Sequence, residues 1–168
     1  MSPQVDGGDM PDGVTIATSR DDDPFGWALD LAGRLRLPES LRVADRQALG
    51  EFLEEWAAEM LGIVQSQIVN LFAHAAKAAY TRNPDVVGHW RSECVEFHDR
   101  LISIYRPSMH GMIDLSALWR RAQRKVMASF DDHGEPRPTV PPQCPVGFDD
   151  LLDPDLGLDR LVTAISDK

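Results

Sequence analysis

Cysteine is nearly missing from this chain: 168 residues carry only Cys94 and Cys144. Two thiols cannot build a disulfide scaffold, and they suit a reducing, cytoplasmic setting. No apolar run approaches the ~18 residues that a membrane span requires, so no membrane association is expected. The opening stretch, MSPQVDGGDMPDG, lacks both a basic and an apolar region, which argues against a secretory signal. Period-two alternation of apolar and polar residues is also missing, so strands are not expected. No segment repeats at a fixed spacing. The familiar chemical motifs are absent too: there is no Gly-x-Ser-x-Gly elbow, no Gly-rich loop ending in Lys-Ser/Thr and no Gly-x-Gly-x-x-Gly. Glu-x-x-His, the di-iron signature of helical bundles, fails at every histidine. Leu71, Val86, Val95, Pro107 and Phe130 stand three residues before His74, His89, His98, His110 and His133. Cys94 and His98 are four apart, but no second ligand pair supports them, and Cys94 reads as a buried thiol. These absences point to no metal, no cofactor and no assigned catalytic residue.

Proline, too, is missing where it would matter. None lies between Pro38 and Pro84, between Pro84 and Pro107, or between Pro107 and Pro136. Proline removes a helical donor and clashes with the preceding turn, so each window is open to a helix. A first helix is predicted at Asp23-Pro24, an N-cap acid followed by proline at the first helical position. Phe25, Ala28, Leu29, Ala32 and Leu35 share its face, and it stops before Pro38. The long window from about 45 to 81 opens at Asp45 and would span roughly 55 Å, with a bend expected at Gly62. A third helix runs from about Asp85 to Arg106, with Trp90, Cys94, Phe97, Leu101 and Ile104 inward. Pro107, Ser108 and Gly111 turn the chain into a fourth, about 112–130, built on Leu115, Trp119, Ala122, Val126 and Phe130. Five prolines between 135 and 146 make an extended crossing segment. Gly147–Leu152 and Leu156–Ile165 then form short apolar helices that dock on the rest. The fold is therefore expected to be all-α. It is a single bundle of four main helices around one long central helix, with the Pro-rich segment and short helices packed across it. Residues 1–22 read as a disordered acidic arm and 23–168 as one helical domain.

The net charge of −10 is unevenly placed. Residues 1–23 hold six acids against one base, and 131–168 hold nine against three. The body, 24–130, is nearly balanced, with twelve acids and thirteen bases. Such acidity argues against general nucleic-acid affinity. Within the body the charges segregate again. The start of the long helix carries Glu51, Glu54, Glu55 and Glu59, a solvated acidic face. The fourth helix carries Arg120, Arg121, Arg124 and Lys125, a candidate basic interaction face. The opposition suggests pairing between helices or an acidic partner.

Along the long helix, a four-three seam reads Leu49, Leu53, Trp56, Met60, Ile63, Gln67, Asn70, His74, Lys77. Its first five members are apolar and its last four polar, because the apolar stripe drifts around a 3.6-residue helix. Gln67, Asn70, His74 and Lys77 are thereby stacked at the border of the core. They either flank an interface and snorkel to water or line a polar pocket in which His74 can change protonation near neutrality.

Several short motifs fall in order: Asp23-Pro24-Phe25-Gly26-Trp27-Ala28, Asp45–Leu49–Glu51, Ser66, His74-x-x-Lys77, His89-Trp90-Arg91, Pro107-Ser108-Met109 and Cys144-Pro145. Together they resemble the bacterial family catalogued as domain of unknown function 29, over about 23–155. Where that family tends to carry His-Leu-Leu-Lys this chain has His74-Ala75-Ala76-Lys77, and Phe52 stands where a second Glu is usual. The resemblance implies an all-helical fold and supplies no activity. Because His74, Lys77 and Trp90 match family positions, it favours the polar end of the seam over the glutamate face. Gln67, Asn70, His74, Lys77, Trp90 and Arg91 are the candidate ligand-binding residues. Four tryptophans and the apolar tail favour a non-catalytic protein-interaction module, binding a partner or itself. A small-molecule or enzymatic pocket around His74, Lys77 and Trp90 is the alternative, and a nucleic-acid regulator using the basic face a second one.

Overall fold

The protein is seen in a computed structural model that describes residues 22–36 and 46–166 in full, and residues 43–45 as backbone. All but the last residue of the expected acidic arm lies outside the described residues. The first helix stops at Leu35, before Pro38 as expected, whereas the long helix already begins at Val43, so the Asp45 backbone is helical and Asp45 is not its cap. Among the described residues every regular element is a helix, as the periodicity requires.

Helix α1 is Pro24–Leu35. Asp23 caps it: Oδ1 accepts from the Gly26 amide at 2.8 Å, while Oδ2 accepts from the Ser108 amide at 3.2 Å. One carboxylate thus starts α1 and ties it to the 3-10 turn Pro107–Met112. Helix α2, Val43–Tyr80, is 38 residues long and unbroken through Gly62. At Gly50 it is crossed closely by α1, since a Cβ there would sit 3.5 Å from the Ala32 carbonyl oxygen. Ala28, Ala32, Leu35 and Leu53 form a small core at this crossing.

Helix α3, Pro84–Ile104, begins where Asn83 Oδ1 accepts from the Asp85 amide at 3.0 Å. It ends two residues short of the expected limit because Tyr105 and Arg106 turn extended before Pro107. Helix α4, Leu115–Asp132, starts three residues later than its periodicity suggests. The preceding turn is 3-10, and Asp114 provides the cap to Ala117 at 2.9 Å. Beyond α4, Gly134 takes φ +65°. There the Glu135 amide donates to Phe130 at 2.9 Å and the Gly134 amide to Asp131 at 3.1 Å, the paired bonds of a left-handed helix stop.

The second half of α2 is the spine, with α3, α4 and α6 packed along it. Val64, Ile68, Leu71, Phe72 and Ala75 are buried against Cys94, Leu101, Trp119, Ala122, Val126 and Phe130. The proline-rich segment is pinned to α4, where Trp119 Nε1 and Gln123 Nε2 both donate to the Pro141 carbonyl, at 2.9 and 2.7 Å. Short helices α5 (Phe148–Leu151) and α6 (Leu158–Ser166) complete the core with Leu151, Leu161 and Ile165. Tyr80 Oη donates to Ile165 O at 2.8 Å and joins α6 to the end of α2.

Three departures stand out. His98 is only 8% exposed, and its Nε2 donates to Leu151 O at 3.1 Å, a link to the C-terminal segment that its sequence position did not suggest. Leu118 and Met109 are buried in addition to the residues expected inward. Leu49, placed in the apolar seam, is 39% exposed, although the adjacent Gly50 and nearby Leu53 are covered by α1.

Candidate functional site

On the second half of α2, Gln67, Asn70, His74 and Lys77 form a half-buried polar stripe beside the buried Val64, Ile68, Leu71 and Ala75. Helices α3 and α4 both pack along α2, and each sends polar side chains to this stripe. Glu93 of α3 places Oε2 2.6 Å from His74 Nδ1 and 3.5 Å from His89 Nε2. The closer contact is short but is not a well-aligned hydrogen bond. The His74 ring stands edge-on to Phe97, at 5.1 Å between centroids. Lys77 Nζ lies 5.0 Å from the centre of the Trp90 ring, within cation–π range. From α4, Lys125 Nζ donates to Asn70 Oδ1 at 2.8 Å. Gln67 Oε1 is buried and has no partner among the described residues.

The electrostatics follow from this crowding. Burial and the neighbouring Lys77 charge push the His74 imidazole below its ordinary range, and the opposing pull of Glu93 does not cancel them. Lys77 is likewise lowered by burial, against Glu93 and with help from Lys125. Near neutral pH the cluster holds a carboxylate, an uncharged imidazole and a partly desolvated ammonium. That set can hold the imidazole in one orientation. Cys94, next to Glu93 in sequence, plays no such part. It is fully buried with Sγ 3.7 Å from Leu71 O, and burial raises its thiol to about 12. Among the described residues no set of three His, Cys, Asp or Glu side chains is arranged to hold a metal ion, His74, His89 and Glu93 included.

Asn70, His74, Lys77 and Trp90 are thus brought together, as their sequence positions suggested. Arg91 is not: its guanidinium turns away and pairs with Asp159 on α6. Glu93 and His89 were missed, although their i, i+4 spacing on the polar side of α3 was a readable sign. The basic face of α4 also divides. Lys125 serves the polar stripe, Arg121 stays exposed, and Arg120 and Arg124 border an open depression of about 610 Å³. Met127 and Val140 contribute apolar surface there, beside the Asp131–Arg137 pair. Pairing between the acidic start of α2 and α4 does not form among the described residues. Glu54 pairs with Arg36 of α1 instead, and Glu51 accepts from Gln47 at 2.9 Å.

A second surface lies on the first half of α2. Phe52 is 60% exposed and Leu49 39%, with half-buried Trp56 beside them. Glu51, Glu55 and Glu59 form an exposed ridge along the same side of the helix. Among the described residues no helix is long and apolar enough to cross a membrane.

The fold has a solved counterpart. An α-helical protein of unknown function from Rhodospirillum rubrum superposes with a TM-score of 0.77 at 25% sequence identity, over 87% of this chain and 96% of its own. No curated protein matches the chain. The family model described as domain of unknown function DUF29 matches residues 21–156, which span the helices α1 to α5 and the polar stripe between them. The chain belongs to that family.

Proposed function

We propose that this chain is a non-catalytic helical module that binds a protein partner through the exposed apolar side of the first half of α2. The observation that supports the reading is Phe52, 60% exposed next to Leu49 and Trp56 on a helix whose other half carries the buried core. Large apolar side chains left in water at adjacent positions of one helix mark contact surfaces. Burying a phenylalanine or leucine contributes about 1.5–3 kcal/mol each. The ridge of Glu51, Glu55 and Glu59 selects a surface with basic residues at its edge, because like charges brought together disfavour other partners. The two unpaired thiols fit a cytoplasmic location. Phe52→Asp places a charge in the centre of the stripe. It should weaken partner capture from the native host by about tenfold or more, while the urea midpoint of the isolated protein stays unchanged. Equal capture of the same proteins by both forms would overturn the reading.

A second reading, a small-molecule site at the polar stripe, is favoured by one arrangement. Glu93 holds His74 from one helix while Lys77 is kept half-buried over Trp90. A ligand with an anionic group would take Lys77 as its counter-ion and Trp90 as its apolar wall.

A further inference from the structure

We infer that copies of this chain associate head to tail, the apolar stripe of α2 in one copy seating in the basic depression on α4 of the next. The inference rests on the stripe being a contact surface, and it names the occupant. Two patches of opposite charge are left uncompensated in the folded body. One is the ridge of Glu51, Glu55 and Glu59 beside Leu49 and Phe52. The other is Arg120 and Arg124 at the rim of the depression of about 610 Å³, with Arg121 exposed nearby. Neither Glu55 and Glu59 nor these three arginines form an ion pair among the described residues.

Neutralisation inside the depression is selective. Arg137 is already held by Asp131 through two bonds of 2.7 and 2.6 Å, which leaves Arg120 and Arg124 as the unpaired cations. Met127 and Val140 line the same depression and give it apolar surface. An aromatic ring placed there could take a guanidinium group over its face, and carboxylates one helical turn away could pair with the other.

The two patches cannot satisfy each other within one chain. Helix α1 packs on the first half of α2, whereas α4 packs on the second, where Asn70 meets Lys125. A two-fold pairing of stripe with stripe is disfavoured, because it sets Glu51, Glu55 and Glu59 of one copy near their own equivalents. A contact between two different faces is heterologous and propagates into a ring or an open chain.

The test uses the full chain in sedimentation velocity over a wide concentration range, at low and high salt. The wild type should gain mass with concentration at low salt, and the association should weaken by about tenfold or more at high salt. Phe52→Asp abolishes the stripe, and Arg120→Glu with Arg124→Glu abolishes the depression. All three residues are exposed, so urea melts should confirm folded proteins, with Phe52→Ser and Arg124→Ala as milder replacements. Each variant alone should be monomeric. Mixed, they should stop at a one-to-one heterodimer, because one intact stripe meets one intact depression and growth is then capped. A wild type that stays monomeric throughout overturns the inference, as does a mixture that remains monomeric or a depression variant that still dimerises alone. Loss of self-association with Phe52→Asp capture still impaired would leave partner binding by the stripe standing. Unimpaired capture would remove that reading as well.

Discussion

His74 shows how far a single side chain can be read from its neighbours on the helix. The three-four spacing of Gln67, Asn70, His74 and Lys77 places it on the border of the core, and that is where it lies. Its main polar contact, Glu93, is on another helix and has no signal in the spacing of α2. The consequence is measurable. Burial and Lys77 hold the folded-state imidazole below the 6.5 of a free one. Between the two values the unfolded chain binds more protons, so acid favours unfolding there. The stabilising contribution is complete above pH 6.5 and is lost as the pH falls toward the folded-state value. His74→Leu should remove that fall, as read from urea midpoints at mildly alkaline and mildly acidic pH. At the alkaline end its stability should change by no more than about 1 kcal/mol, since the isobutyl group can pack in the same apolar surroundings. Glu93, 31% exposed, can meanwhile turn to water. An unchanged acid slope in the variant would show that His74 is not the titrating group.

Among the elements, α4 has boundaries set almost entirely by local chemistry. Asp114 starts it, and Gly134 at φ +65° ends it. A Cβ at Gly134 would meet nothing within 4 Å, so substitution carries a backbone penalty alone. Gly134→Ala should therefore lower stability by about 1 kcal/mol, the cost of a left-handed conformation for an L side chain. A larger loss would mean that the stop also positions the segment beyond it, where Glu135 binds Thr81 and the Arg82 amide. Helix α3 is less legible. Its apolar spacing marks Cys94 and Leu101 correctly, but it pairs Trp90 with them. Trp90 is only half-buried beneath Lys77, whereas His98 is buried against the Leu151 carbonyl. Hydropathy ranks tryptophan above histidine for burial. A carbonyl from a segment some fifty residues away, seen only in three dimensions, reverses the order.

For the molecule as a whole, one core joins Phe25 of α1 to Leu161 and Ile165 of α6 through α2, α3 and α4. The C-terminal segment is thus part of the bundle and not an appendage. Leu161→Ala opens a cavity under α6 and should cost about 2–5 kcal/mol. The loss should appear as a shift of a single unfolding transition by both circular dichroism and tryptophan fluorescence. Separate transitions would show that α6 melts on its own.

Helix type, the number of long helices and most of their ends were determined by the sequence itself. Proline placement, Asp, Asn and Gly caps and the 3.6-residue period act within a few residues of the chain. What only the tertiary structure decided is how each helix is rotated and which neighbour covers it. That choice set Arg91 against Asp159 instead of the polar stripe, split Lys125 from Arg120 and Arg124, and left Phe52 in water. The reason is physical: burial of a helix face depends on the summed packing of several elements, and no local spacing encodes which of them arrives.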